Sequence, residues 1–196
     1  YRPGKGFKFI VNERGCRRLI RALDPADMVL QHALCDAVLL PALTPYLIYD
    51  NGASLKGKGM AFTRRRLAAH LREYRRRYGT GGWVLKIDFA KFFDNIPHDR
   101  LIDSIDAKVR DSRIRDLLSM LLAPYSADVS YTDTDFDAVP YNSLQDFETS
   151  GLRDGSRVLR RSVGIGAPVS QIAGVWYPTP IDTYCKVVRS CRYYGR

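Results

Sequence analysis

Apolar and polar positions along this chain change period several times, and each change marks an element. Phe7-Lys8-Phe9-Ile10-Val11 alternates, Asn12-Glu13-Arg14-Gly15 supplies turn-forming residues, and Cys16-Arg17-Arg18-Leu19-Ile20 resumes an extended pattern, which predicts a β-hairpin. Asp24-Pro25 gives an N-cap followed by proline at the first helical position. Leu30, Ala33, Leu34, Ala37 and Val38 then recur at helical spacing as far as Pro41, so a buried helix follows. Tyr49 to Gly59, rich in small residues and lysine, reads as a loop. A helix from about Phe62 to Tyr78 comes next, with Leu67, Leu71, Tyr74 and Tyr78 on one apolar stripe. Thr80-Gly81-Gly82 ends it. Trp83 to Asp88 has period two, which predicts a strand with Val84, Lys86 and Asp88 on one face and Trp83, Leu85 and Ile87 on the other.

After Pro97, Leu101, Ile102 and Ile105 mark one helix, and Asp111 caps a second whose Ile114, Leu117, Leu118, Leu121 and Leu122 form an apolar face. Residues 126–157 lack clear periodicity and read as an inserted hairpin or loop. Asp133, Asp135 and Asp137 there have the spacing of a calcium-loop opening, but Ala138 stands where the turn glycine belongs and Leu144 where the closing glutamate belongs. From Arg161 the chain is glycine-rich and then apolar, and Cys185 to Tyr194 reads as a strand or as a short helix leading into one. Strands and helices mix without a strict strand-helix-strand alternation, so the fold class expected is α+β.

Charge sharpens this picture. The 196 residues carry a net charge of +10, but residues 126–157 hold seven acids against two arginines, a balance of −5 that leaves +15 elsewhere. A field of that size suits a polyanion. The helix from Phe62 to Tyr78 concentrates it: Arg64, Arg65, Arg66, Arg72, Arg75, Arg76 and Arg77 face a single acid, Glu73, so pairing within the helix cannot neutralise them. Arg65, Arg72, Arg76, Lys56 and Lys58 are the candidate nucleic-acid contacts; a solvated surface is the plainer alternative. No stretch reaches the roughly 20 apolar residues of a membrane span, Ala33 to Leu43 being interrupted by Asp36 and Pro41, so no membrane partner is expected. Cys16, Cys35, Cys185 and Cys191 form no metal-binding spacing and read as free thiols of a cytoplasmic protein. Tyr1 at the start and Arg192-Tyr193-Tyr194-Gly195-Arg196 at the end read as cuts within a longer protein.

Asp88 at the end of a strand is poorly explained by packing, because aspartate is unfavourable there unless it is paired or binds a cation. Its surroundings, Ile87-Asp88-Phe89-Ala90-Lys91-Phe92-Phe93-Asp94-Asn95-Ile96-Pro97-His98, closely resemble the first palm motif of group II intron and related bacterial or phage reverse transcriptases. The resemblance implies that Asp88 and the Phe89 carbonyl bind magnesium, two ions in all, and that Phe93 lies under the deoxyribose as a steric gate. Two ions need hard oxygen ligands, one activating the primer hydroxyl and one steadying the leaving group.

About 75 residues further on, Ser162-Val163-Gly164-Ile165-Gly166-Ala167-Pro168-Val169-Ser170-Gln171 is similar to the second palm motif, in the variant of diversity-generating retroelements. There Ile165, Gly166 and Gln171 would meet the incoming nucleotide, Ile165 replacing the glutamine of the intron enzymes. Gly15 to Ile20 resembles the basic fingers strand that clamps the triphosphate, with Arg18 at the arginine position and Arg17 beside Cys16, where lysine is common; surface charge alone is the other reading of that pair. The Gln31-His32 helix and the Gly57-Lys58-Gly59 loop resemble the segments that follow in this family, although Gln31 and His32 also suit core polar groups.

The resemblance implies a right-hand palm polymerase fold: fingers at 1–82, palm at 83–98, fingers again at 99–158 with the acidic insertion at 126–157, and palm at 159–196, stopping short of the family's Tyr-x-Asp-Asp motif. It implies an RNA-directed DNA polymerase with RNA template, DNA or RNA primer and deoxynucleoside triphosphates as partners, these 196 residues alone being inactive. The alternative is a non-catalytic, maturase-like RNA-binding module on the same fold. An RNA-dependent RNA polymerase is disfavoured by Phe93, which would obstruct a 2′-hydroxyl.

Overall fold

Alternation at the start of the chain becomes an antiparallel hairpin, β1 (Phe7–Glu13) with β2 (Cys16–Ala22), in register from Phe7 opposite Ala22 to Glu13 opposite Cys16. The structure, a computed structural model, describes residues 1–4, 7–13, 16–89, 92–125, 127–128, 149–153 and 156–196. The chain falls into two compact units, Tyr1–Ala42 with Phe89–Gly174 and Leu43–Asp88 with Val175–Arg196.

In the first unit Asp24 caps α1 (Pro25–Leu34) by accepting from the Ala26 amide at 2.9 Å. Pro41 does not end this helix as the sequence suggests. Cys35–Leu39 widen into a π-helical turn in which the Leu40 amide reaches the Cys35 carbonyl, and α2 (Leu40–Leu43) then carries Pro41 in its first turn, where no amide hydrogen is needed. The helical run Pro25–Tyr46 is therefore longer than Ala33–Leu43, and, with a mean hydropathy of 1.3 over its most apolar 18 residues, it has the length and composition of a membrane-crossing helix. Yet its Asp27 is buried and accepts from the Tyr1 hydroxyl and, at 2.7 Å, from the Gly4 amide; Gln31, also buried, accepts from the Val169 amide at 3.4 Å. Those partners make this part of the run a packed element of its unit. Burial pushes the Cys35 thiol up to about 12, with the Asp36 charge adding to it.

Helices α4 (His98–Val109) and α5 (Ser112–Leu122) bury Leu101, Ile102 and Ile105 and Leu118, Leu121 and Leu122, and Asp111 caps α5 through the Arg113 amide at 2.9 Å. The borders of the acidic stretch form short antiparallel strands in the order β3 (Ala127–Asp128), β5 (Ser156–Leu159), β4 (Thr149–Arg153). Asp133, Asp135 and Asp137 lie outside the described residues. Helix α6 (Pro168–Trp176) follows. Helices with antiparallel strand pairs are thus present, but the strand expected at Trp83–Asp88 is not. Among the described residues that segment pairs with no other, and a strand without a ladder is not one.

The second unit is organised by α3 (Met60–Tyr78) and by Asp50, which is buried and receives Arg66 Nε, His70 Nε2 at 3.0 Å and Lys186 Nζ at 2.9 Å. Burial pushes the Asp50 carboxyl up, but hydrogen bonds from Arg66 and Lys186 outweigh it and hold the group well below the usual carboxylate range. After α7 (Thr179–Thr183) the chain makes a π-helical turn at Tyr184–Val188, in keeping with the short-helix reading of Cys185–Tyr194, but no strand follows it in residues 189–196. Asp182, fully buried, accepts from the Tyr194 hydroxyl at 2.7 Å and Arg196 Nη2 at 2.8 Å.

Asp50→Asn should lower the unfolding free energy by about 2 kcal/mol, because it leaves Arg66 and Lys186 facing a neutral group while still partly covered. A depressed carboxyl contributes stability above its unfolded value of about 3.9, and that contribution is lost as pH falls through the lower folded value. Urea denaturation of both proteins from pH 7 to 3 checks this: wild type should lose stability toward acid more steeply than the variant.

Candidate functional site

The two motif segments at 92–98 and 160–171 are joined by a run of backbone hydrogen bonds. Phe92–Asn95 makes one 3₁₀ turn, from which the Phe93 carbonyl faces the second segment. Val163 donates to the Phe93 carbonyl at 3.1 Å, Ser162 to Ile96 at 3.0 Å, and His98 to Arg160 at 2.9 Å, while Pro97 and Arg161 form an antiparallel bridge. Side chains tighten the seam. Arg161 Nη1 donates to Asn95 Oδ1 at 3.0 Å, and the Ser170 hydroxyl donates to the Val163 carbonyl. Ile96 and Val163 are completely buried within it.

His98, 1% exposed, contacts the Ser162 carbonyl through Nε2 at 2.6 Å. A carbonyl only accepts, so Nε2 must carry the hydrogen. Burial lowers the His98 pKa, and the Ser162 carbonyl opposes this without overcoming it. The role of His98 as a buried clasp was not apparent from sequence; its only signal was a histidine closing the first motif.

Phe93 is half-buried. Its ring lies edge-on to Phe92, with centroids 5.7 Å apart, and covers Gly174 of α6, where a Cβ would stand 2.9 Å from the Phe93 ring. Helix α6 therefore needs glycine at this position for the ring to sit there. Gly166 has φ 110°, a conformation that side chains strain, while Ile165 is half-buried and Gln171 is exposed on α6. Arg17 and Arg18 stand on β2 opposite Asn12 and Val11. Phe89 is exposed and stacks at a tilt on Phe92, 5.7 Å between centroids.

Asp88 is exposed and makes no ion pair or hydrogen bond among the described residues. Nor do any three His, Cys, Asp or Glu side chains among them come together as metal ligands. Two magnesium ions need several hard oxygen ligands gathered together, so the donors described do not fit the metal pair that the sequence resemblance implies.

On α3 the cations sort by partner. Arg66 is committed to Asp50, and Glu73 takes Arg192 at 2.7 Å. Arg65, Arg72 and Arg76 are exposed and meet no carboxylate among the described residues. Their spacing of seven and four residues puts them in one column about 16 Å long, opposite the Leu67, Leu71, Tyr74, Tyr78 stripe. Lys56 is exposed in the preceding loop. Lys58 is not a free cation: Nζ donates to the Tyr49 carbonyl at 2.7 Å and sits over the Phe62 and Tyr49 rings at 3.8 and 4.3 Å. No protein-family model matches the chain, and no curated protein matches it.

A histidine whose folded pKa is depressed favours folding when neutral. The contribution is complete above the unfolded value of about 6.5 and is lost as pH falls through it toward the folded value. The melting temperature should therefore decline from pH 7.5 to 5, and His98→Gln, which can still donate to the Ser162 carbonyl, should remove part of that slope at some cost in stability at pH 7.5. Equal slopes in the two proteins would count against the buried neutral imidazole.

Proposed function

We propose that this chain is part of an RNA-directed DNA polymerase with a right-hand palm fold, Asp88 being one of its catalytic carboxylates and Phe93 its sugar gate. The observation that supports it best is the seam. Two segments about 70 residues apart, each resembling a palm motif on its own, are stitched together by backbone hydrogen bonds that Val163 and Ser162 donate to the Phe93 and Ile96 carbonyls and that His98 donates to the Arg160 carbonyl. Accidental likeness of two short motifs carries no requirement that they meet. The arginine column suits the same reading, since a polymerase holds its template and primer chiefly by their phosphates.

The runner-up is a non-catalytic RNA-binding module on the same fold, which the exposed column of Arg65, Arg72 and Arg76 would serve equally well. The two readings share RNA binding and part at chemistry. In a protein that carries this chain together with a Tyr-x-Asp-Asp segment, Asp88→Asn should abolish primer extension, because an amide is a poor ligand for a hard cation, and should leave RNA affinity intact. Extension at the wild-type rate would refute the catalytic role; absence of extension in wild type as well would favour the binding module.

For RNA binding itself, reversing charge at Arg65, Arg72 and Arg76 together should raise the apparent Kd for an RNA/DNA duplex by at least about tenfold and flatten its salt dependence. The fold should be unaffected, because all three side chains are exposed. Fluorescence anisotropy across a salt series measures both effects.

A further inference from the structure

The segment Trp83–Phe89 has the residues of a strand and none of its partners. Its backbone makes no hydrogen bond among the described residues, and Trp83, Leu85 and Ile87 are exposed at 101%, 84% and 68%. Unpaired backbone next to exposed large apolar side chains is the situation that strand pairing between molecules relieves.

Which strand fits is decided by the residues themselves. In an antiparallel pair about a two-fold axis, residues whose numbers share a constant sum stand opposite each other and on the same face. Centring on Lys86 sets lysine against lysine. Centring on Leu85 sets Lys86 against Val84 and Asp88 against Gly82. Odd sums place charged residues across from apolar ones, such as Lys86 from Ile87. Centring on Ile87 sets Lys86 opposite Asp88 of the second copy and Asp88 opposite its Lys86, while on the other face Ile87 meets Ile87 and Leu85 meets Phe89. Within Leu85–Phe89 that register pairs both opposite charges and joins apolar residues only to each other; Trp83, outside that span, falls opposite Lys91. Lys86 and Asp88 are both exposed and have no partner of their own among the described residues.

We propose that Leu85–Phe89 is a self-recognition strand, pairing antiparallel with the same segment of a second copy in the register centred on Ile87. The interface is short, so the dimer is weak and forms at high protein concentration. It goes beyond the proposed function and engages the same Asp88 carboxylate. The test is therefore run in EDTA and reads association alone, so that its failure says nothing about polymerase chemistry.

Sedimentation equilibrium of the full chain over a wide concentration range should show a monomer–dimer equilibrium. Lys86→Asp and Asp88→Lys, each of which makes two like-charge contacts in this register, should each weaken the dimer by about tenfold. The double variant Lys86→Asp/Asp88→Lys, which restores both pairs with signs exchanged, should return to within about threefold of wild type. Melting curves for all four proteins check that these exposed positions leave the fold intact. A wild-type protein monomeric throughout, association indifferent to the single reversals, or single losses that the double variant does not recover would each overturn the proposal; the last two would assign association to another surface.

Discussion

The tie between the two distant segments of the first unit depends on the backbone seam between 93–98 and 160–163. Its donors and acceptors are peptide groups in a buried setting, and each would be costly if left without a partner. The seam fixes where the 3₁₀ turn at Phe92–Asn95 sits, and so where the Phe93 ring lands on Gly174. It also fixes the start of α4, since the Pro97 carbonyl accepts from Leu101 and the His98 ring closes on Ser162 from the first turn. A side-chain change in either motif is thus read through main-chain geometry, which tolerates less than a surface contact does.

The second unit is held by charge in place of backbone pairing. Asp50 gathers an arginine, a histidine and a lysine, and Asp182 gathers a tyrosine hydroxyl and an arginine, both carboxylates being buried. A buried carboxylate surrounded by donors gives less net stability than its contacts suggest, because desolvation offsets much of the attraction. It does define one arrangement, however, since losing any donor leaves charge uncompensated. Long stretches of this unit outside α3 have little regular structure, so these two clusters carry the specification that helix or strand pairing would otherwise provide.

Local rules read well from the sequence where the deciding chemistry is local. The alternation at Phe7–Val11, the Asp24 and Asp111 caps and the apolar faces of α4 and α5 all depend on neighbours within a few residues, and they form as the pattern implies. Pro41 misled because a proline in the first turn of a new helical segment loses nothing, and the π-helical turn before it cannot be read from composition. The seam was legible only as two motifs, not as a contact, since nothing in either segment states its hydrogen-bonding partner. Asp50 was invisible for the same reason: Arg66, His70 and Lys186 approach it from 16, 20 and 136 residues away. Lys58 looked like a free cation in a glycine-rich loop and is instead laid over aromatic rings, a placement set by Tyr49 and Phe62.

Trp83–Asp88 shows the limit of pattern most sharply. Period two states how a segment would behave in a sheet, namely which side chains would share a face, but the sheet itself is a property of two strands. Here the pattern is present and the ladder is not, leaving Leu67, Leu71, Tyr74, Trp83 and Leu85 around an open cavity of about 780 Å³ in the second unit. Only one side of that helix has its character met by its surroundings: arginines at Arg65, Arg72 and Arg76 are well solvated, whereas the opposite apolar stripe stays half-exposed. An amphipathic helix whose apolar side faces water gains little from folding on that side. Covering that stripe would therefore stabilise α3 together with the segment after it, because exposed Trp83 and Leu85 line the same cavity as Leu67, Leu71 and Tyr74.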